Sequence, residues 1–251
     1  MTKTAVVTGA SSGIGWACAK ALKESGWQVV AVARREERLA KLAAEIECEY
    51  VVADLTDDAG IDAVVRHLDG RPVSALINDA GGAFGVDSIA EAVVERWQHM
   101  FNINVISTVK ITRALLPGLR EHGGTVLFIT STAAHDTYPG GGGYAAAKHA
   151  ERMIPLTMRQ ELVGEPVRVM EIAPGMVHTE EFSLNRLGSQ EKADAVYAGV
   201  ERPLVAEDIA NAVAWCVNLP AHVNIDSMII RPVEQGTNTL TKRMREGGFD
   251  R

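Results

Sequence analysis

The alternation of short β-branched runs with segments of helical periodicity constrains the fold of this chain most. Four apolar runs open the sequence, at residues 4–8, 28–32, 49–55 and 74–78. Runs of this length are typical of parallel strands that are buried on both faces. Between the first two runs, Ile14, Cys18, Ala21 and Leu22 share one helical face. The pattern therefore predicts a βαβαβ arrangement at the start of the chain.

The same alternation continues through most of the sequence. Later strands are predicted at 124–131, 167–174 and 227–233, and helices near 111–119, 144–162 and 209–217. We therefore predict an α/β fold, a Rossmann-like doubly wound parallel β-sheet in three α/β/α layers, with residues 1–251 as a single domain. Residues 177–203 are polar, show no strand pattern and are predicted to form a mobile flap over a site. Residues 237–251 are predicted to be a tail, frayed in its charged part from 241 onward.

Composition limits the classes of partner. The chain has 251 residues, 25 Lys and Arg against 32 Asp and Glu, and a net charge of −7. This charge argues against a surface for nucleic acid or for an anionic membrane, so we expect a small-molecule substrate. Cys18, Cys48 and Cys216 lie far apart in no C-x-x-C spacing, which favours a reducing compartment, and we expect a cytoplasmic protein. No pair of histidines has metal-ligand spacing, and no metal is predicted.

A glycine-rich turn, "TGASSGIG", follows the first predicted strand and enters a helix. Such a turn brings backbone N–H groups and a helix N-terminus toward a pyrophosphate. Its glycines, Gly9, Gly13 and Gly15, are spaced G-x-x-x-G-x-G, and a plain strand-to-helix turn could have the same letters. Gly9, Ser11 and Gly13 also match G-x-S-x-G, the nucleophile elbow of hydrolases. That alternative is weaker, because almost no chain precedes Ser11 to supply an oxyanion donor.

The segment "AVARREER" bears on which dinucleotide is bound. Ala33 stands where an NAD site has a carboxylate for the ribose 2′-OH, and Arg34 and Arg35 follow it. Arginines at the start of a helix oppose its dipole, whereas their guanidinium groups match phosphate oxygens. The segment predicts NADP, with a solvated charged face as the alternative.

Tyr144 and Lys148 are spaced i and i+4 and share a helical face. An ammonium about 5 Å from a phenol favours the phenolate by roughly 3 kcal/mol at an effective dielectric constant of about 20. Proton transfer by Tyr144 near neutral pH is therefore plausible. Ser131 ends a predicted strand, where its hydroxyl would face the same crevice. Residues 140–143 are all glycine and leave space at the mouth of this crevice.

Together, "TGASSGIG", "INDAGG", "FNINV", "ITS" and "YAAAK" resemble the classical short-chain dehydrogenase/reductase family in order and spacing. The resemblance implies an enzyme in which Tyr144 is the general acid/base, Lys148 assists it and holds the nicotinamide ribose, Ser131 polarises the substrate carbonyl and Asn104 supports a proton-relay water. It also implies a homotetramer or homodimer. The cofactor contacts that it implies are Gly9, Ser11, Ser12, Gly13, Ile14, Gly15, Arg34, Arg35, Asp54, Leu55, Asn78, Ala80, Gly81, Tyr144, Lys148, Pro174, Gly175, Val177 and Thr179.

Asp79 departs from the family, which usually has Asn-Asn-Ala-Gly where this chain has "NDAG". A carboxylate offers only acceptors where an amide also donates, so Asp79 is expected to weaken cofactor binding or local packing.

The segments "APGMVHTEEFSLNR" and "NLPAHVNIDSMIIRPVEQ" resemble the branch of NADP-dependent 3-hydroxy acid and serine dehydrogenases, which includes malonic semialdehyde reductases. The resemblance implies a small 3-hydroxy acid such as serine or 3-hydroxypropionate, with Arg186 on its carboxylate. A plain surface arginine is the alternative, and His135 and His178 could also line the pocket. A non-acidic or lipophilic ketone as substrate, and a non-catalytic NADP-binding regulator, stay open.

Overall fold

The computed structural model describes residues 3–244 and has nine strands. They are β1 (Thr4–Thr8), β2 (Gln28–Ala33), β3 (Glu49–Val52), β4 (Ala75–Asn78), β5 (Gly124–Ile129), β6 (Val167–Pro174), β7 (Val177–His178), β8 (Leu204–Val205) and β9 (Met228–Ile230). The helices are α1 (Gly13–Glu24), α2 (Glu36–Ile46), α3 (Asp58–Leu68), α4 (Val94–Phe101), α5 (Ser107–His122), α6 (Gly142–Glu161), α7 (Phe182–Leu187), α8 (Gln190–Tyr197) and α9 (Ala206–Asn218). A π-helical turn, Asn102–Ile106, joins α4 to α5.

Seven of these strands form one parallel sheet in the order β3-β2-β1-β4-β5-β6-β9. Strands β2 and β3 lie on one side of β1. The chain then crosses to the other side of β1, where β4, β5, β6 and β9 follow in order. The order therefore reverses between β1 and β4, which is the place where ligands bind in open α/β sheets. The predicted doubly wound, three-layer, single-domain fold is confirmed.

Apolar residues cover both faces of the sheet, which is why most positions of its strands are apolar. On one face, Cys18 and Leu22 of α1 pack with Leu39 of α2 and Ile209 of α9. The opposite face buries side chains of α3, α5 and α6 and of the residue after α6, which are Ile61, Val64, Leu115, Leu119, Met158 and Leu162. None of the described helices is long and apolar enough to cross a membrane.

Three strands end earlier than predicted. The strand predicted at 227–233 is β9, which ends at Ile230. The other two end where local hydrogen bonds form a turn. The strand predicted to 55 ends at Val52, because Asp54 Oδ1 accepts from the backbone N–H and the hydroxyl of Thr56 and forms a turn there. The strand predicted to 131 ends at Ile129, and the side chain of Ser131 accepts a hydrogen bond from the N–H of Ala133 in the following 3₁₀ turn.

The expectation that residues 177–203 lack a strand is wrong, because β7 lies in this segment and pairs in parallel with β8. Helices α7 and α8 follow β7. The tail is hydrogen-bonded as far as Met244, whose N–H donates to the carbonyl oxygen of Gly199 at 2.7 Å. Arg243 donates to the carbonyl oxygens of Val196 and Ala198. This part of the tail is therefore fixed to the flap instead of frayed, and residues 245–251 lie outside the described residues.

Candidate active site

A cleft of about 770 Å³ opens at the carboxyl ends of β1, β4, β5 and β6, at the point where the strand order reverses. Most of the predicted site residues line it. They are Gly9, Ser11, Ser12, Gly13, Ile14, Arg34, Arg35, Asp54, Leu55, Ala80, Gly81, Ser131, Tyr144, Lys148, Pro174, Gly175, Val177, Thr179 and Arg186.

Three predicted residues lie behind the wall of the cleft and support it. A Cβ on Gly15 would lie 2.6 Å from the carbonyl oxygen of Gly9, so only glycine lets α1 approach the turn this closely. Asn78 donates from Nδ2 to the hydroxyl of Thr112 at 3.2 Å. Asn104, in the π-helical turn, accepts from the N–H of Gly82 at 3.1 Å and donates to its carbonyl oxygen at 2.9 Å. Asn104 thus holds the loop after β4, and its support of a relay water stays a prediction.

The glycine-rich turn has the form that an anion site requires. Gly9 and Gly13 have φ angles of +69° and +54°, which disfavour a side chain. Ser12 precedes α1 without capping it through its side chain, which suits a helix N-terminus that receives an anionic ligand. Ser11 Oγ accepts hydrogen bonds from Arg35, at 3.1 Å from Nε and 2.9 Å from Nη2. A cation in this place does not activate a hydroxyl, which weakens the hydrolase alternative.

Arg35 binds three side chains at the rim of the cleft. Besides Ser11, it donates to the hydroxyl of Ser12 at 2.9 Å and pairs with Glu181 of the flap at 2.7 Å. The hydrogen bond from Arg35 lowers the pKa of Glu181. Arg34 is more exposed, and its Nη1 lies 3.9 Å from Asp54 Oδ2. Both arginines therefore lie where the sequence predicts a 2′-phosphate, and Arg35 is the more firmly held of the two.

Tyr144 and Lys148 are both buried, near the start of α6. Lys148 Nζ lies 6.0 Å from the centre of the Tyr144 ring and donates to the carbonyl oxygen of Ile129 at 3.2 Å. Burial lowers the pKa of Lys148, but nearby acidic groups and Tyr144 outweigh that effect and raise it, so the lysine is an ammonium. Ser131 lines the same cleft at the end of the neighbouring strand. The arrangement can move a proton between Tyr144 and a ligand.

Arg186 reaches the cleft from α7. Its guanidinium carbon lies 5.3 Å from the ring centre of Tyr138 and 5.7 Å from that of Tyr144. Its carbonyl oxygen accepts from the N–H of Gly85 at 2.9 Å, which ties the flap to the loop after β4. Within residues 3–244, the buried Nε of Arg186 has no hydrogen-bond partner. A buried donor without a partner in a cleft is suited to an anionic ligand.

The carboxyl group of Asp79 differs in its pKa from an ordinary aspartate. Burial raises its pKa to about 8, although Lys148 and the backbone N–H of Gly15 oppose the shift. At neutral pH the carboxyl group is therefore protonated and can donate as well as accept, as an amide does. The expectation that Asp79 offers only acceptors applies to its carboxylate form, which the raised pKa disfavours at neutral pH, and the effect on cofactor binding stays a prediction.

Several residues of the cleft were not predicted from the sequence. Tyr138 and Phe182 flank Tyr144 on the side of the flap, where the Phe182 ring centre lies 5.7 Å from that of Tyr144. They follow no spacing rule, and only folding brings them close. His135 and His178 do not line the cleft in the described structure: His135 Nε2 lies 3.2 Å from Glu171 Oε1, and His178 packs on a tyrosine of α8. Among residues 3–244, no cluster of three or more His, Cys, Asp or Glu side chains could hold a metal ion.

Comparison with known proteins agrees with this geometry. The family model described as short chain dehydrogenase matches residues 3–188. The chain belongs to this family of oxidoreductases. An uncharacterized oxidoreductase of Mycobacterium tuberculosis is 50% identical over 237 residues, which are 94% of this chain and 93% of that protein. The NADP-dependent 3-hydroxy acid dehydrogenase YdfG of Salmonella typhi is 39% identical over 92% of this chain and 95% of its own length.

A solved structure of this family also resembles the whole fold. The closed form of a serine dehydrogenase complexed with NADP⁺ superposes with a TM-score of 0.90 at 35% identity, and the match covers 96% of this chain and all of that one. The short-chain dehydrogenase family that the motifs predict is thereby confirmed.

Proposed function

We propose that this protein is an NADP-dependent oxidoreductase that interconverts a small 3-hydroxy acid, such as serine or 3-hydroxypropionate, and the corresponding carbonyl compound. One observation carries the proposal: Tyr144, Lys148 and Ser131 share a cleft with Arg186, whose buried Nε has no partner among the described residues. The names of the 3-hydroxy acid and serine dehydrogenases that the chain resembles support the same substrate class. A homotetramer or homodimer and a cytoplasmic location stay predictions from the resemblance.

The cleft fits NADP in two places. The uncapped N-terminus of α1 and the turn with Gly9 and Gly13 suit the pyrophosphate. Arg34 and Arg35 suit the 2′-phosphate, because guanidinium groups bind phosphate oxygens in pairs. When bound, NADP accepts or supplies the hydride of the reaction.

The protein residues handle the proton and the orientation of the substrate. In the oxidation direction, we assign Tyr144 to take the proton of the substrate hydroxyl as hydride leaves the carbinol carbon. Ser131 donates a hydrogen bond to the same substrate oxygen, and the ammonium of Lys148 stabilises the phenolate. Arg186 binds the carboxylate and so fixes which carbon faces the nicotinamide. In the reduction direction, the proton on Tyr144 returns to the oxygen.

Replacing Arg35 by Ala is expected to lower the preference for NADP⁺ over NAD⁺. Loss of a charge-assisted contact to phosphate corresponds to roughly 10- to 100-fold in affinity. The measurement is the ratio of kcat/KM for the two nucleotides. Arg38→Ala is the matched control, because Arg38 pairs with Glu180 and Glu181 of the flap but does not line the cleft. An unchanged ratio in Arg35→Ala would contradict the assignment.

Replacing Arg186 by Gln tests the substrate class. We expect KM for 3-hydroxypropionate to rise roughly 10- to 100-fold, because a charge-assisted hydrogen bond to the carboxylate is lost. Turnover of a secondary alcohol without a carboxylate should change little. Arg202→Gln removes an exposed arginine of the same flap and should leave both substrates unaffected. Equal losses for the acid and the alcohol would favour the non-acidic or lipophilic ketone as the substrate.

A further inference from the structure

Glu151 is a buried acid in direct contact with Lys148, and the roles proposed above leave it unused. It lies on α6 three residues after Lys148, and its side chain is 1% exposed. Its Oε2 lies 2.6 Å from Lys148 Nζ. The same Nζ donates to the carbonyl oxygen of Ile129 at the end of β5. The ammonium is therefore held from two sides, by the sheet and by a carboxyl group of its own helix.

A second buried acid, Glu171 on β6, lies in the same region but has partners of its own. Its Oε1 accepts from the hydroxyl of Thr130 at 2.7 Å. The same oxygen lies 3.2 Å from Nε2 of His135 and 3.5 Å from Nε of Arg152. Glu171 is thus stabilised without Lys148. Glu151, by contrast, forms its one ion pair among residues 3–244 with Lys148.

The titratable groups around Glu151 lie on three elements. Lys148 lies on its own helix and Glu171 on β6. Asp79, whose pKa Glu151 helps to raise, lies on the loop after β4. Burial raises the pKa of Glu151 to about 7, with Glu171 adding to the shift and Lys148 opposing it. Above that pH the carboxylate is ionised and offsets part of the positive charge of Lys148.

Because of the spacing along α6, the charge of Glu151 also affects the deprotonation of Tyr144. Tyr144, Lys148 and Glu151 are spaced i, i+4 and i+7, so they lie on one face of the helix. Lys148 stands between the other two, with Nζ 2.6 Å from the acid and 6.0 Å from the tyrosine ring centre. An ionised Glu151 therefore makes the phenolate harder to form, and removal of its charge makes it easier.

We propose that Glu151 is a positioning residue that holds Lys148 in place and sets its net charge, and thereby sets the pH at which Tyr144 releases its proton. The inference rests on the acid–base role proposed for Tyr144. One negative charge on the order of 7 Å from a phenol, at an effective dielectric constant of about 20, shifts the deprotonation of that phenol by roughly one to two pH units, and we expect an effect of this size for Glu151.

The test compares Glu151→Gln, which keeps the shape and removes the charge, with Glu161→Gln, an exposed position at the end of the same helix. The pH dependence of kcat/KM is measured with NADP⁺ and 3-hydroxypropionate. Phenolate absorbance of the protein without cofactor is titrated in parallel, with the Tyr144→Phe variant subtracted. We expect both midpoints to move down by roughly one to two pH units in Glu151→Gln. The control should keep the midpoints of the unaltered protein.

Midpoints that stay in place while the melting temperature changes would show a purely structural role and overturn the inference. Glu151→Met also removes the charge and fills the same space, so it should give the same downward shift, and it replaces the Gln variant if that variant fails to fold. The Tyr144→Phe variant separates two failures. Full turnover in that variant would overturn the acid–base proposal together with this one, whereas lost turnover combined with unmoved midpoints in Glu151→Gln would overturn this one alone.

Discussion

Replacing Tyr144 by Phe is expected to lower kcat by roughly 10²- to 10⁴-fold, the usual contribution of a general acid or base. The phenol hydroxyl is the group that exchanges the proton in the proposed reaction, and Phe removes it while keeping the ring. The ring packs against Ala133, Ala147 and Phe182, so the fold should be preserved. The measurement is turnover in both directions, together with a melting temperature close to that of the unaltered protein.

Tyr138→Phe is the matched control for this prediction. Tyr138 lines the same cleft and lies close to Arg186, but it has no lysine one helical turn beyond it. Its loss should change kcat by less than about tenfold. If Tyr144→Phe kept more than about a tenth of the turnover, or if the two variants lost equal amounts, Tyr144 would not be the acid/base.

Replacing Asp79 by Asn is expected to stabilise the protein at alkaline pH. Burial raises the pKa of Asp79 to about 8, well above that of an unfolded chain. Between these two values the folded protein keeps a proton that the unfolded chain has lost, so stability falls as pH rises from about 4 to about 8. Asn does not titrate and avoids this loss. Because part of Asp79 is accessible to solvent, we expect a gain of about 1–3 kcal/mol at pH 9 and almost none near pH 4.

Urea unfolding of the variant and of the unaltered protein at pH 4.5 and pH 9 measures this difference in the free energy of unfolding. Asp62→Asn, on the exposed face of α3, is the control. Its free energy of unfolding should differ from that of the unaltered protein by the same amount at both pH values. A variant that is less stable than the unaltered protein at pH 9 would mean that the carboxylate form of Asp79 is the stabilising one.

Most of the sheet could be predicted because its strands are buried on both faces. β1 and β6 have the predicted bounds, since both are rich in β-branched and apolar residues. β7 and β8 could not be predicted, because a strand of two residues has no periodicity. The docking of the tail was also missed, because Arg243 and Met244 bind backbone groups that no local pattern identifies.

The residues that line the cleft were largely predictable, because several of the motifs follow a strand at the same edge of the sheet. The protonation states and buried ion pairs of these residues could not be predicted from the sequence. Asp79 was expected to be an acceptor alone, whereas its burial changes its protonation. Glu151 has the spacing of an ordinary surface helix pair with Lys148, and only the packing of α6 against the sheet makes it a buried partner. Gly143, expected to give freedom to the loop, instead lets α6 approach the Met100 side chain closely.

The most direct test of the proposed function follows the absorbance of the reduced nicotinamide when the purified protein meets NADP⁺ or NAD⁺ with 3-hydroxypropionate, serine and a secondary alcohol that lacks a carboxylate. We predict turnover of at least one of the two acids with NADP⁺, at a kcat/KM more than about tenfold above that with NAD⁺ and above that of the alcohol. Equal or better use of NAD⁺ would contradict the roles of Arg34 and Arg35. Turnover of the alcohol without either acid would contradict the role of Arg186 and the substrate class.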